Sequence, residues 1–157
     1  MTSWLSAALS LAAAHAAPVA SLRVDANGAT FVVAVREYRS AGYQIEVDCV
    51  AKCSRRFSYR ESVSDSPLGL FTRDRDDLVF STWSAGSAYR VRVWRVSASG
   101  IGKIAELSSR GMPDFLSGRS GRPSIRTYEG DSGTGPMHSV LWTYRDGRFV
   151  RGERNVR

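Results

Sequence analysis

The chain has 157 residues, a formal net charge of +7 and two cysteines. That length fits one domain with a core of its own, so neither a metal nor a dense disulfide net is needed for folding. No apolar run reaches the roughly 20 residues that a membrane-spanning helix requires, and of the 22 basic residues only Lys52 and Lys103 are lysine.

Residues 4–14 read WLSAALSLAAA, a short apolar run, and Ala14-His15-Ala16 then supplies the small-x-small pattern that precedes a signal cleavage site. We expect residues 1–16 to form a signal-like helix and signal peptide, and residues 17–157 to form a single all-β domain with an unstructured tail at about 152–157. The α-amino group is the only positive charge before the apolar run. The expected location is therefore the periplasm or the secreted fraction, with no membrane span left after cleavage.

Residues 21–38 read as a hairpin. Asn27-Gly28 is a two-residue turn signal, and fixing the turn there pairs Val24 with Phe31 and Leu22 with Val33, all on one face. Residues 43–60 read as a second hairpin, with Tyr43, Ile45, Val47 and Cys49 alternating with Gln44, Glu46 and Asp48. A three-residue loop at 50–52 would set Cys49 opposite Cys53, Ile45 opposite Phe57 and Tyr43 opposite Tyr59. A structural disulfide between Cys49 and Cys53 follows, because CxxxC is not the redox spacing and too few metal ligands lie nearby. An oxidising compartment suits such a bridge.

Residues 61–75 are polar, contain Pro67 and Gly69, and read as a connection with a short edge segment at 68–71. Residues 76–96, DDLVFSTWSAGSAYRVRVWRV, carry the densest β-branched and aromatic run. They read as a central hairpin that extends into a third strand at 103–107. On its second strand Tyr89, Val91 and Val93 share the core face. Arg90, Arg92 and Trp94 share the other, which is either a wet face with cation–π pairs or a second packed surface. Residues 111–122 read as a loop, 123–128 as a strand and 129–136 as another loop. In the closing hairpin SVLWTYRDGRFVR, the Asp146-Gly147 turn pairs Tyr144 with Phe149, Trp142 with Arg151, and Arg145 with Arg148. With no helical periodicity beyond the start, the expected fold is all-β: an antiparallel sandwich or barrel-like sheet of about 8–10 short strands.

Residues 74–150 pass through RDRDDLVFSTW, GMPDFL and YRDGRFV. This rhythm of acidic loop, strand, hairpin, Pro-Asp element and aromatic hairpin resembles the FG-GAP or VCBS-type propeller-blade repeats of secreted bacterial proteins. The resemblance implies a secreted binding or scaffold module and carries no activity with it. The chain departs from that family at the calcium loop, where Arg75 and Asp76 replace the tight Asn/Asp-Gly turn.

Catalytic patterns are sparse. Gly130-Asp131-Ser132-Gly133 matches the core of the nucleophile loop of trypsin-like proteases, but His138 follows the serine and His15 leaves with the signal, so no base stands where that chemistry needs one. Asp74, Asp76 and Asp77 could line a calcium loop, yet Arg73 and Arg75 interleave with them. His138 reads as a hydrogen-bonded surface histidine. Glu37, Glu46, Glu61, Asp114 and Glu129 are carboxylates from which no acid–base pair stands out. The positive signal is arginine beside aromatics: Arg90, Arg92 and Trp94 on one strand, and Trp142, Arg145, Arg148 and Arg151 on the last hairpin, with Arg154 and Arg157 beyond it. Such groups suit anionic polymers. The expectation is a non-catalytic binding or accessory module of the cell envelope or secreted fraction, without cofactor or metal. Its partner would be an envelope protein or an anionic polymer: a phosphate- or sulfate-bearing glycan, lipopolysaccharide or nucleic acid. The alternatives are a protein inhibitor or immunity-type factor and a carboxylate-based hydrolase.

Overall fold

The strand periodicity of the sequence becomes twelve antiparallel strands in a computed structural model that describes residues 17–38, 42–118, 121–130 and 136–152. The expected signal peptide, residues 131–133 of the protease-like motif, and Arg154 and Arg157 lie outside the described residues. Sheet I holds β1 (Ala20–Ala26), β2 (Ala29–Glu37), β3 (Tyr43–Ala51) and β4 (Ser58–Val63). Sheet II holds β5 (Ser66–Arg73), β6 (Arg75–Ser84), β7 (Tyr89–Ser97) and β8 (Gly100–Ser109). Sheet III holds β9 (Asp114–Ser117), β10 (Pro123–Glu129), β11 (His138–Arg145) and β12 (Arg148–Arg151). In each sheet consecutive strands are neighbours, so each is a four-stranded meander. No helix among the described residues is long and apolar enough to cross a membrane.

The three sheets stack as layers, and the middle one is buried on both faces. Val79, Trp83, Trp94 and Val96 of sheet II pack with Phe31, Val33, Ile45 and Val47 of sheet I. Leu78, Phe80, Val91 and Val93, on the other face of the same strands, pack with Ile125, Tyr144 and Phe149 of sheet III. The sequence accordingly reads VRVW rather than apolar–polar alternation: where both faces are covered, successive side chains all need burial. This settles the choice left open for the Arg90–Arg92–Trp94 face, which is a second packed surface. The fold is all-β and antiparallel as expected, with its packed sheets numbering three and its strands twelve where about 8–10 were expected. Four-stranded meanders are also the units of propellers, and residues 74–150 span most of sheet II and all but the last residue of sheet III.

Local turn chemistry set two hairpins as expected. Asn27 and Gly28 have φ of 51° and 76°, Asp146 and Gly147 have 50° and 83°, and both positions of a type I′ turn require that sign. Val24 faces Phe31, Leu22 faces Val33, and Tyr144 faces Phe149. The β3–β4 register differs from expectation: Ile45 faces Glu61 rather than Phe57, Tyr43 faces Val63 rather than Tyr59, and Cys49 N donates to Phe57 O at 3.4 Å. The loop is longer than three residues because the segment after Cys53 is held by sheet II, with Ser54 N and Oγ both donating to Ala98 O at 3.1 and 2.6 Å. The shift is even, so Tyr59 and Val63 still face the core. Cys49 and Cys53 are joined, with Cα atoms 6.2 Å apart.

β5 is longer than the short edge segment expected at 68–71, and β9 emerges where a loop was expected. β5 occupies 66–73 despite Pro67 and Gly69, and its pairing with β6 skips a residue between them. Proline is tolerated there because β5 is the edge of its sheet. β9 lies inside the Gly/Ser-rich stretch 111–122 as the short edge of sheet III.

Phe80 lies at the centre of the sheet II–sheet III interface. Its ring stacks on Phe71 at 5.6 Å and meets the edges of Phe115 and Phe149 at 5.8 and 6.2 Å. We expect Phe80→Ala to cost about 3–5 kcal/mol, the range for a fully buried aromatic, read from urea unfolding. The Cys49→Ser/Cys53→Ser variant should lose only about 2 kcal/mol, because the closed loop is short.

Candidate anion-binding end

Meander topology places the odd-to-even hairpin turns of a sheet at one end of it, and the contacts between sheets bring those ends together. Asn27 Nδ2 in the β1–β2 turn donates to Val96 O near the end of β7. Ser54 in the β3–β4 loop bonds Ala98 in the β7–β8 turn. Ser117 Oγ, at the end of β9, donates to Asp74 Oδ1 in the β5–β6 turn at 2.7 Å. A Cβ on Gly147 in the β11–β12 turn would lie 3.3 Å from Arg95 Nη1 on β7. Glycine is required at 147 by its φ, and the Arg95 guanidinium leaves little room beside it.

Among the described residues this end gathers Arg95, Arg145 and Arg148, cations without partners, together with the exposed carboxylates Asp76 and Asp146. Arg145 and Arg148 are directly opposite on the last hairpin. Both are exposed and, like Arg95, neither is hydrogen-bonded or ion-paired through its side chain among the described residues. Like charges directly across a strand pair are unfavourable in themselves. Arg75 is different: it forks onto Asp77 at 2.7 and 2.9 Å and lies 5.4 Å from the Tyr144 ring centroid. The hydrogen bond that Arg75 donates to Asp77 is the main reason the Arg75 pKa is raised. Asp77 is thereby engaged, Asp74 is bonded by Ser117, and Asp76 shares a cleft of about 300 Å³ with Asp25 and Asp77. Among the described residues no three His, Cys, Asp or Glu side chains gather as a metal site.

The other residues singled out from sequence have different fates. Trp94 is fully buried and Arg92 nearly so. Arg92 lies between sheets I and II, 5.5 Å from the Trp83 ring centroid. Three carboxylates compensate it: Asp65 at 3.2 Å, Glu106 at 3.3 Å and Glu61 at 3.7 Å. Arg90 joins Asp65 at 3.3 Å, and Lys103 lies 2.8 Å from both Glu61 and Glu106. Tyr59 donates to Glu61. Among the described residues Arg92 Nε and Nη1 find no hydrogen-bond partner, nor does the Trp94 indole N–H, whose nearness nonetheless draws the Tyr59 pKa down. Burial and Glu61 outweigh it and raise the Tyr59 pKa. The hydrogen bond from Lys103 holds the Glu106 carboxyl below its usual range. For Lys103 burial is the largest influence and acts downward, but the hydrogen bonds to Glu106 and Glu61 prevail and raise its pKa. All of these charges are spent on one another.

At the far side of sheet III, Arg151 lies 5.6 Å from the Trp142 ring centroid and donates to Glu129 at 2.7 Å. His138 Nε2 is 3.6 Å from the same Glu129 carboxylate. The Arg/Trp set of the last hairpin is therefore divided: Arg145 and Arg148 project freely, whereas Arg151 is engaged. Sequence reasoning passed over Arg95, Lys52, Arg55 and Arg56, which are exposed at the same end. The cations in CVAKCSRRF were a visible signal, but the position of Arg95 under the last turn is purely tertiary. No family model, curated protein or solved structure matches the chain.

The ionic cluster sets a pH dependence. Because the folded pKa of Glu106 is lowered from 4.5, its stabilisation is present above about that pH and lost as pH falls through the folded value. The urea midpoint should therefore decline on acidification below about pH 4.5, and Glu106→Gln should flatten that decline while lowering the midpoint near neutrality.

Proposed function

We propose that this protein is an exported, non-catalytic binding module that holds anionic polymers on the end of the sheet stack formed by the hairpin turns. The observation that carries this reading is the Arg145–Arg148 pair, opposed across the last turn and, among the described residues, not ion-paired even to the turn residue Asp146, beside an Arg95 that also has no partner among them. Folding derives no evident benefit from placing like charges there. An incoming phosphate or sulfate group would offset their repulsion, and guanidinium groups bind such oxyanions bidentately. Export is supported by the signal-like start and by the Cys49–Cys53 bridge, which suits an oxidising compartment.

The hydrolase alternative has less support. Glu61, Asp65 and Glu106 are neutralised by Arg90, Arg92 and Lys103, and in the cleft that Asp76 shares with Asp25 and Asp77, Arg75 engages Asp77. The lowered Glu106 pKa is opposite in sign to what a general acid needs.

Retention of the protein on immobilised dextran sulfate across a salt gradient tests the proposal. Elution should come only at raised salt, and Arg145→Ala/Arg148→Ala should elute earlier, with a salt dependence shallower by about one unit of slope per lost contact. Elution of both proteins in the first low-salt fractions would overturn it and favour a protein partner of the inhibitor type.

A further inference from the structure

We propose that the disulfide-clipped loop between β3 and β4 is a second anion-contacting element, which takes sulfate or phosphate ester groups and depends on the Cys49–Cys53 bridge for its shape. The inference rests on the reading of the hairpin end as a polyanion surface and adds a site on it.

The loop reads CVAKCSRRF and brings three cations, Lys52, Arg55 and Arg56, into five consecutive positions. All three are exposed, and among the described residues no carboxylate pairs with them. An ordinary solvated loop with this charge would be mobile, but this one is fixed at several points. The bridge joins Cys49 to Cys53. Lys52 is held in the left-handed region, with φ of 56°. Ser54 bonds Ala98 O through both N and Oγ. Phe57 packs into the sheet I–sheet II core, its ring 6.1 Å from Phe31. The chain from Cys53 to Phe57 is thus anchored at both ends and in between, so ordering it costs a ligand little.

A shallow hollow of about 510 Å³ opens beside it, lined by Asp48, Cys49, Val50, Arg56, Phe57 and Ser58. Asp48 is the one carboxylate on that lining, and Val50, 52% exposed, gives it an apolar rim. Arg56 lines the hollow opposite Asp48, and Lys52 and Arg55 stand on the same anchored loop outside the lining, so the loop as a whole favours a ligand with closely spaced negative charges. Sulfate and phosphate esters present several terminal oxygens to adjacent guanidinium groups. An apolar lip beside the cations suits the carbon backbone of a polymer that carries such groups.

The loop also lies on the same path as the first site. Ser54 rests on Ala98, Arg95 lies three residues earlier on β7, and Arg95 borders Gly147 between Arg145 and Arg148. A single strand of polymer can therefore cross from sheet I to sheet III over the end of sheet II, touching both elements.

The test is equilibrium binding of the full chain to dextran sulfate and, separately, to inorganic polyphosphate, with neutral dextran as control. Arg55→Ala/Arg56→Ala should weaken binding about tenfold or more at low salt, the loss expected for two charge-assisted contacts. Arg55→Lys/Arg56→Lys should recover only part of it, because lysine keeps the charge and loses the fork. Cys49→Ser/Cys53→Ser should weaken binding at least threefold while cooperative thermal unfolding is retained. Wild-type affinity in Arg55→Ala/Arg56→Ala, with a loss in Arg145→Ala/Arg148→Ala, would overturn the loop site and leave the hairpin reading standing. Binding to neither polyanion by the wild-type chain would overturn both. Unchanged affinity in the cysteine variant would overturn the dependence on the bridge. Preference for one probe over the other identifies the ester.

Discussion

Sheet II must be covered on both faces, and the rest of the structure follows from that constraint. Its two central strands carry eight apolar side chains in the twelve positions 78–83 and 91–96, with Ser81, Thr82 and Arg92 also buried among them and Arg95 alone exposed. A strand of this kind cannot leave either face in water without exposing several large side chains, each worth roughly 1.5–3 kcal/mol when buried. Sheets I and III supply the two covers. Their outer strands alternate, as in β1 and β4, whereas β2 and the start of β10 are buried at nearly every position.

The same constraint accounts for the ionic cluster. Arg92 sits on the sheet I side of β7, where the core narrows toward β4, and a guanidinium in that position is tolerable only with carboxylates beside it. Glu61 and Asp65, at and just after the end of β4, and Glu106, on β8, supply them from two sheets. The cluster therefore links the layers, and it fixes how sheet I lies on sheet II more than it adds net stability. Charges of the same kind at the hairpin end have no such role. There the arginines stand outside the packing, and a partner of opposite charge would give them one.

Local signals were legible wherever the chain's own chemistry decides the outcome within a few residues. The Asn27-Gly28 and Asp146-Gly147 turns force their registers, because few other residue pairs accept positive φ twice in succession. Cys49 and Cys53 were legible as a pair for a similar reason: their spacing leaves little else for them to do. The candidate site was half legible, since Arg145 and Arg148 follow from the turn, whereas Arg95 reaches it only through the packing of sheet III on sheet II. Trp94 and Arg92 read equally well as surface or core, because alternation alone does not say whether a second layer arrives.

By itself the sequence determined the strand character of the chain, the tight turns, the faces that hold the core and the charge available for binding. All of these depend on neighbours along the chain, through φ preferences and the two-residue period of a strand. Tertiary structure decided the number of layers, the β3–β4 register, the edge strands β5 and β9, and which arginines remain free. Those depend on contacts such as Ser54 with Ala98 and Arg92 with Asp65, between residues 44 and 27 positions apart. No local propensity encodes such contacts; they form only once burial of both faces of sheet II has brought the three meanders together.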